Sequence, residues 1–222
     1  MNYSPSIPRT SENSSSVKAV EPTTSESPGD SEVVLHERRP VFKNGVYSVF
    51  ADHVTDKQGH EVERYLSVVP NRLVENAVAG VAILPTYEGK VGLLRIFRHP
   101  LRSWSWEAIK GHVEDGEELK TAAARELREE TGFAVSPASV IKLGTVAPEA
   151  AIIRGRSCLF TVVVDGYKAG GAETELGHGE MVFLSLEEVR NLIAEGEIED
   201  AITLCAFYKY SEKALDNNLH RD

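Results

Sequence analysis

Residues 111–133 read GHVEDGEELKTAAARELREETGF, and glutamates stand at positions 126, 129 and 130 of this stretch. The spacings i, i+3 and i+4 place their carboxylates on one face of a helix, with β-carbons roughly 5–6 Å apart. Like charges this close repel one another, and a divalent cation that prefers oxygen ligands is the simplest partner for them. The stretch therefore predicts a helix that presents carboxylates to a metal ion.

The glycines and the arginine of this stretch make the pattern more specific than an acidic run. Glu117 follows Gly111 by six positions, Arg125 precedes the acidic face, and Gly132 and Phe133 follow it. The stretch resembles the Nudix box, Gly-x5-Glu-x7-Arg-Glu-U-x-Glu-Glu-x-Gly-U, where U is a bulky aliphatic or aromatic residue. All of the specified positions are filled, and a chance match is on the order of 10⁻⁹ per starting position at average residue usage.

Composition limits the classes of function. The chain has 222 residues, 41% of them hydrophobic, which predicts one domain with a real core plus extensions. The formal net charge of −10 disfavours a nucleic-acid partner. No apolar run reaches the roughly 18–20 residues that span a bilayer, and the N-terminus lacks the apolar core of a signal peptide. A cytoplasmic protein with no membrane partner is expected.

The composition changes along the chain and predicts three regions. Residues 1–38 are rich in Ser, Pro, Thr and Glu, which predicts a disordered tail. Residues 39–70 hold two segments rich in β-branched and aromatic residues around the turn sequence DKQGHE, which predicts an N-terminal β-hairpin. Residues 71–215 form the expected catalytic domain. Within it, strand-like segments surround the acidic helix.

Three helices are expected in that domain. The first is predicted over residues 117–131, with Asp115 or Gly116 as its cap and Gly132 as its stop. A second is predicted to begin at Ser185 with a capping box, and a third over about residues 200–213. The predicted fold class is α+β, a mixed sheet with helices on its faces.

The resemblance extends beyond the box. The segments RIFRHPLRSWSWEAIKG and LIAEGEIEDAITLCAF are similar to those of ADP-ribose pyrophosphatases of the Nudix family. This resemblance implies an α/β/α sandwich with an N-terminal extension and a homodimer formed through the N-terminal strands. Two segments depart from the subfamily pattern: residues 108–110 read AIK instead of Leu-Pro-Ala, and residues 148–154 read PEAAIIR instead of Pro-Gly-x-x-x-Glu.

The resemblance also implies a metal site. Glu126 and Glu130 would be the main ligands, Glu129 a third ligand, and the backbone carbonyl of Lys110 a fourth. Magnesium prefers such oxygen ligands, and manganese is the alternative. Glu129 could instead act as the catalytic base.

Further residues are assigned by the same resemblance. Arg125 joins the catalytic group by pairing with Glu117 and positioning the helix. Arg98 would contact a substrate phosphate, although a solvated strand edge is equally compatible with it. Glu107 would face the site as a substrate-binding residue, and a charge on an edge strand is the alternative. The first choice for the catalytic base is Glu175, in an acidic loop that also holds Glu173 and Glu180, and an ordinary acidic loop explains these residues equally well.

The expected function is metal-dependent hydrolysis of a nucleoside diphosphate linked to another group. ADP-ribose or a related sugar nucleotide is the first expectation, giving a nucleoside monophosphate and a sugar phosphate. The departures keep coenzyme A, dinucleoside polyphosphates and capped RNA open as substrates. A non-catalytic nucleotide-binding regulator is the third alternative.

Overall fold

The computed structural model describes residues 32–166 and 176–219. Within them, the N-terminal part is a three-stranded antiparallel sheet in the order β1-β2-β3. Its strands are β1 (Val33–Lys43), β2 (Tyr47–Asp56) and β3 (Glu61–Pro70). The pair β2–β3 is the predicted hairpin, but β1 was not predicted and begins inside the segment expected to be a disordered tail. The sequence VVLHERRPVFK was not recognised as a strand because charged residues and a proline interrupt its apolar residues. Those apolar residues are largely exposed in the structure.

The rest of the described chain is built on a mixed, seven-stranded sheet. The path is β10-β5-β4-β9-β8, with β6 paired to β5 and β7 to β4. The central pair β4–β9 is parallel, and its strands are almost continuously apolar because both of their faces are covered. The strands are β4 (Val78–Tyr87), β5 (Lys90–Arg98), β6 (Ser103–Glu107), β7 (Ile109–His112), β8 (Ile141–Val146), β9 (Arg156–Val163) and β10 (His178–Leu184).

Helices cover both faces of this sheet. Alternate residues of β4 point to opposite faces: Val81 and Ile83 belong to the core beneath α1 (Leu119–Thr131), whereas Ala82 and Leu84 belong to the core beneath the other two helices. Those helices are α2 (Leu186–Ala194) and α3 (Ala201–Leu219). The layers are helix, sheet and helix, so the predicted α+β fold with its α/β/α sandwich is confirmed.

The ends of α1 agree only in part with the prediction. Gly132 ends the helix as expected: it adopts φ 77°, and its N–H donates to the Arg128 carbonyl at 2.8 Å. The start differs, because the helix begins at Leu119 with Glu118 as its cap. Glu117 lies in the preceding turn, where its carboxylate accepts a bond from the Glu114 N–H at 3.1 Å.

The N-terminal sheet is joined to the domain along β3. The Val68 N–H donates to the Ile152 carbonyl at 2.8 Å, and the Arg154 N–H donates to the Val68 carbonyl at 2.9 Å. The Tyr65 hydroxyl donates to the Ala151 carbonyl at 2.6 Å. The segment PEAAIIR, which departs from the subfamily pattern, is therefore the segment that binds the N-terminal sheet. Among the described residues, no helix is long and apolar enough to cross a membrane.

Candidate active site

A cleft of about 510 Å³ lies where the N-terminal sheet, the loop after β8, β7 and α1 meet. It holds both of the strongest predicted metal ligands, Glu126 and Glu130, together with Arg98, Lys110 and Arg125. The N-terminal sheet contributes Tyr47 and Pro70, and the loop after β8 with the start of β9 contributes Pro148, Ile153, Gly155, Arg156 and Ser157.

The box glycine brings the Glu126 carboxylate into the cleft. A β-carbon built at Gly111 would lie only 1.8 Å from Cδ of Glu126. A side chain at residue 111 would therefore require the Glu126 carboxylate to move from this position. Glu130, one helical turn further on, is buried and lines the same cleft. The lack of a side chain at Gly111 on β7 thus leaves room for the carboxylate of Glu126, which belongs to α1.

Arg125 ties the loop before α1 to the helix. Its Nε and Nη2 donate to the two oxygens of Glu117, each at 3.0 Å, and Nη2 also donates to the His112 carbonyl at 2.9 Å. The Nη1 atom donates to Glu126 at 2.8 Å and to Glu129 at 3.0 Å. The bonds to Glu117 raise the pKa of Arg125, and the Arg125 guanidinium lowers the pKa of Glu117. These contacts support the positioning role predicted for Arg125.

The chemistry of the donors fits a hard cation, but the third carboxylate lies apart from the other two. Glu129 and Glu130 are adjacent, so they differ by about 100° around the helix axis. The Glu129 side chain is 45% exposed and bonded to Arg125. In residues 32–166 and 176–219, no group of three or more acidic, histidine or cysteine residues converges to hold a metal ion. The carboxylates that line the cleft are Glu114, Glu126 and Glu130, and Lys110 lines it as well.

A second charged cluster forms the wall of the cleft opposite α1. Arg98 binds Glu107 through two bonds, Nε to Oε1 at 2.9 Å and Nη2 to Oε2 at 2.5 Å. The Lys110 ammonium contacts the same Oε2 and, at 2.9 Å, Oδ1 of Asp200. Glu107 was predicted to face the site. Its carboxylate is buried and does not line the cleft itself, but it is bonded to Arg98 and Lys110, which do.

Asp200 links this cluster to α3. Its Oδ2 accepts bonds from the backbone N–H of Thr203 at 2.8 Å and from the Thr203 hydroxyl at 2.7 Å, so it caps the helix. The Thr203 hydroxyl in turn accepts a bond from the Ala108 N–H at 2.9 Å. Burial raises the pKa of Asp200, but the Lys110 ammonium and the Thr203 bonds outweigh it and hold that pKa below its usual value.

The family described as NUDIX domain matches residues 76–207, which include the box, both charged clusters and most of the residues that line the cleft. The chain belongs to the Nudix hydrolase family. The family predicted from the box is therefore confirmed. Among Nudix proteins, the chain is similar to ADP-ribose pyrophosphatases.

Three relatives are similar in sequence to parts of this Nudix chain. The ADP-ribose pyrophosphatase of Bacillus subtilis is 28% identical over 172 residues, 75% of this chain and 91% of the relative. The CMP-5'-(N-acetyl-N-hydroxy-3-aminopropyl)phosphonate hydrolase of Streptomyces rubellomurinus is 32% identical over 120 residues, 53% of this chain and 56% of the relative. The ADP-ribose pyrophosphatase of Saccharomyces cerevisiae is 34% identical over 116 residues, 50% of this chain and 49% of the relative. The chain thus spans about half the length of two of these relatives.

The Nudix fold is also found in a solved structure, described as an ADP compounds hydrolase. Its TM-score is 0.68 at 18% identity, covering 84% of this chain and 96% of the other. At this identity the likeness concerns the fold.

The predicted catalytic base is not placed by the structure. Glu175 and its neighbour Glu173 lie outside the described residues, and Glu180 is exposed on β10. Sequence reasoning missed Asp200 and the side chain of Lys110 as parts of the site. A signal for Asp200 existed in the sequence, because aspartate is a preferred residue at the N-cap of a helix.

Proposed function

We propose that this Nudix protein is a magnesium-dependent pyrophosphatase that cleaves a nucleoside diphosphate joined to a second group. The observation that carries the proposal is the placement of Glu126 and Glu130 on the cleft, beside the Arg98 guanidinium. Carboxylate oxygens are the ligands that magnesium prefers. Manganese is the alternative metal.

The proposed reaction is attack by water on a phosphorus atom of the diphosphate. Glu126, Glu130 and the Lys110 carbonyl would hold the metal, which when bound neutralises phosphate charge and makes a bound water more acidic. Arg98 would bind a phosphate oxygen, since guanidinium groups bind phosphate through paired hydrogen bonds. The products would be a nucleoside monophosphate and the phosphorylated second group. Glu175 and Glu129 stay the predicted candidates for the catalytic base.

ADP-ribose or a related sugar nucleotide is the proposed substrate. The Bacillus and yeast relatives are named ADP-ribose pyrophosphatases, and the resemblance in residues 95–111 and 192–207 points to the same subfamily. The Streptomyces relative is named for a CMP-linked phosphonate, so the base and the second group both vary among similar chains. The loop that reads PEAAIIR lines the cleft through Pro148 and Ile153 and is where such variation would act.

A substrate panel tests this proposal. The purified full chain is incubated with ADP-ribose, sugar nucleotides, coenzyme A, dinucleoside polyphosphates and capped RNA, with magnesium, with manganese and with a chelator. We expect monophosphate release from ADP-ribose or a sugar nucleotide, and its loss with the chelator. Release from no compound in the panel would refute the proposed activity.

A pair of glutamine variants on and beside α1 tests the metal assignment. Glu130→Gln removes a cleft carboxylate and should lower kcat by about 100-fold or more, because the metal supplies much of the charge stabilisation. Glu118→Gln alters an exposed carboxylate at the start of the same helix and should leave kcat unchanged. Full activity of a folded Glu130→Gln protein would contradict the assignment.

We also propose that the protein is a homodimer joined through its N-terminal sheets. Several large apolar side chains of this sheet are exposed. Phe42 pairs with Val49, and Val49 pairs with Val68, so these residues share one face. Leu66, two residues from Val68 on the same strand, lies on that face as well. A contiguous apolar face on a three-stranded sheet is typical of a protein contact, and the family resemblance favours a second copy of the chain as the partner.

A further inference from the structure

Lys110 has a positively charged side chain at the position where the subfamily pattern has alanine. On β7, Ile109 packs into the core beneath α1, so Lys110 points to the other face of the sheet. Its side chain is only 15% exposed. A charge this buried costs several kcal/mol unless it is paired. Glu107 and Asp200 provide that pairing from two different elements.

The oxygens of Glu107 are shared between two cations. Oε1 accepts from Arg98, whereas Oε2 accepts from both Arg98 and Lys110. The side chain of Glu107 is 2% exposed, so water cannot replace either partner easily. Lys110 therefore fixes the plane of the carboxylate to which the Arg98 guanidinium is bound.

Glu107 engages only part of the Arg98 guanidinium. Glu107 engages Nε and Nη2, and among the described residues Nη1 has no hydrogen-bond partner. The side chain is 40% exposed and lines the cleft. The direction in which Nη1 points follows from how Glu107 is held, because a bidentate pair has a fixed geometry.

Lys110 also balances the charge of this wall of the cleft. With Lys110, the positive charges of Arg98 and Lys110 equal the negative charges of Glu107 and Asp200. Without it, the cluster would carry one net negative charge close to Glu126 and Glu130. A diphosphate is itself anionic, so the cleft would repel it more strongly.

We propose that Lys110 is a positioning residue that sets the affinity for the diphosphate. Its ammonium group bridges Glu107 and Asp200, and Glu107 in turn orients Arg98 toward a phosphate oxygen. This inference rests on the proposed pyrophosphatase function of the cleft.

Kinetics of Lys110 and Arg98 variants test this role. Lys110→Met keeps the length of the side chain and removes its charge. We expect it to raise KM about tenfold, equivalent to one charge-assisted contact, with kcat within about threefold of the original value. Lys110→Arg should restore KM to within about threefold, since a guanidinium can bridge the same carboxylates. If Lys110 acts through Arg98, then adding Lys110→Met to Arg98→Met should raise KM by less than about twofold further.

A matched control and a binding measurement complete the test. Lys142→Met removes an exposed lysine on β8 and should leave KM unchanged. The proposal is overturned if Lys110→Met leaves KM unchanged, if it lowers kcat alone, or if its effect adds fully to that of Arg98→Met. If Lys110→Met does not fold, Lys110→Gln takes its place in the test, and an unchanged KM in Lys110→Gln counts against the proposal.

The failure of the proposed function would look different. If the unaltered chain hydrolyses no compound of the panel, the same variants are compared by titration calorimetry with inorganic pyrophosphate. A higher Kd for pyrophosphate in Lys110→Met, but not in Lys142→Met, would then support the role of Lys110. The same Kd in Lys110→Met and in the unaltered chain would refute it.

Discussion

The Glu126 carboxylate lies so close over Gly111 that a β-carbon at residue 111 would fall 1.8 Å from Cδ and 2.0 Å from Oε1 of Glu126. Gly111 belongs to β7, and Glu126 belongs to α1. The absence of a side chain at one position therefore determines where the carboxylate of another can sit. The conformational freedom of glycine is not needed to explain this choice.

Gly111→Ala should therefore displace the Glu126 carboxylate and inactivate the proposed enzyme. A displacement on the order of 1 Å costs about 100-fold in rate, so we expect kcat/KM to fall by about that factor. Metal affinity should fall as well, because Glu126 is a proposed ligand. Steady-state kinetics and titration with manganese would measure the two effects.

The control for this variant is Gly45→Ala. Gly45 lies in the turn between β1 and β2, and a β-carbon there would meet no described atom within 4 Å. Its kcat/KM should match that of the unaltered chain. If Gly111→Ala had the same kcat/KM as the unaltered chain, the position of the Glu126 carboxylate would not matter for the reaction.

A second prediction concerns the link between α3 and the strand break at Ala108. The hydroxyl of Thr203 is fully buried and accepts the bond from the Ala108 N–H. Thr203→Val has nearly the same volume but leaves this N–H unpaired, which costs about 1–3 kcal/mol. The melting temperature should fall by about 2–10 °C for a domain of this size. Thr145→Val, at an exposed position of β8, should leave it nearly unchanged, and equal melting of the two variants would contradict the prediction.

Part of this site could be predicted from the sequence because its signals are local. The box fixes the spacing of Glu126 and Glu130 on one helix, and Gly132 stops that helix by its own conformational preference. The nearly continuous apolar sequence of β4 is typical of a strand that is covered on both faces. Each of these inferences needs only residues that are near one another in the chain.

The Lys110 cluster could not be predicted in the same way. Alternation along a single strand would place Glu107 and Lys110 on opposite faces. The strand, however, is interrupted at Ala108, between β6 and β7. There the Thr203 hydroxyl accepts a hydrogen bond from the Ala108 N–H. The Lys110 ammonium contacts both Glu107, on the other side of this interruption, and Asp200, which is far away in the sequence. Contacts that depend on a strand break and on the docking of a distant helix leave no periodic pattern.

Disrupting the apolar face of the N-terminal sheet should separate the proposed dimer. Leu66 is 48% exposed on β3, and Leu66→Asp would bury an unpaired charge in the proposed contact, which is strongly unfavourable. Sedimentation velocity at micromolar concentration should show a dimer for the unaltered chain and a monomer for this variant. Val163→Asp changes an exposed valine of β9 and should remain dimeric. A monomeric unaltered chain at that concentration would exclude the proposed dimer.

Acid should weaken the contribution of the Glu117–Arg125 pair. The pKa of Glu117 is held below its ordinary 4.5, mainly by hydrogen bonds from Arg125. A carboxyl group with a lowered pKa in the folded state stabilises the fold fully above its unfolded pKa, and this contribution is lost as the pH falls through the folded value. Glu117→Gln should therefore lower the free energy of unfolding by about 1–2 kcal/mol at neutral pH, and this difference should shrink once the pH falls below 4.5. Urea unfolding between pH 7 and pH 3 would measure it, with Glu118→Gln as the control. A difference that stays constant across this range would mean that ionisation of Glu117 does not stabilise the fold.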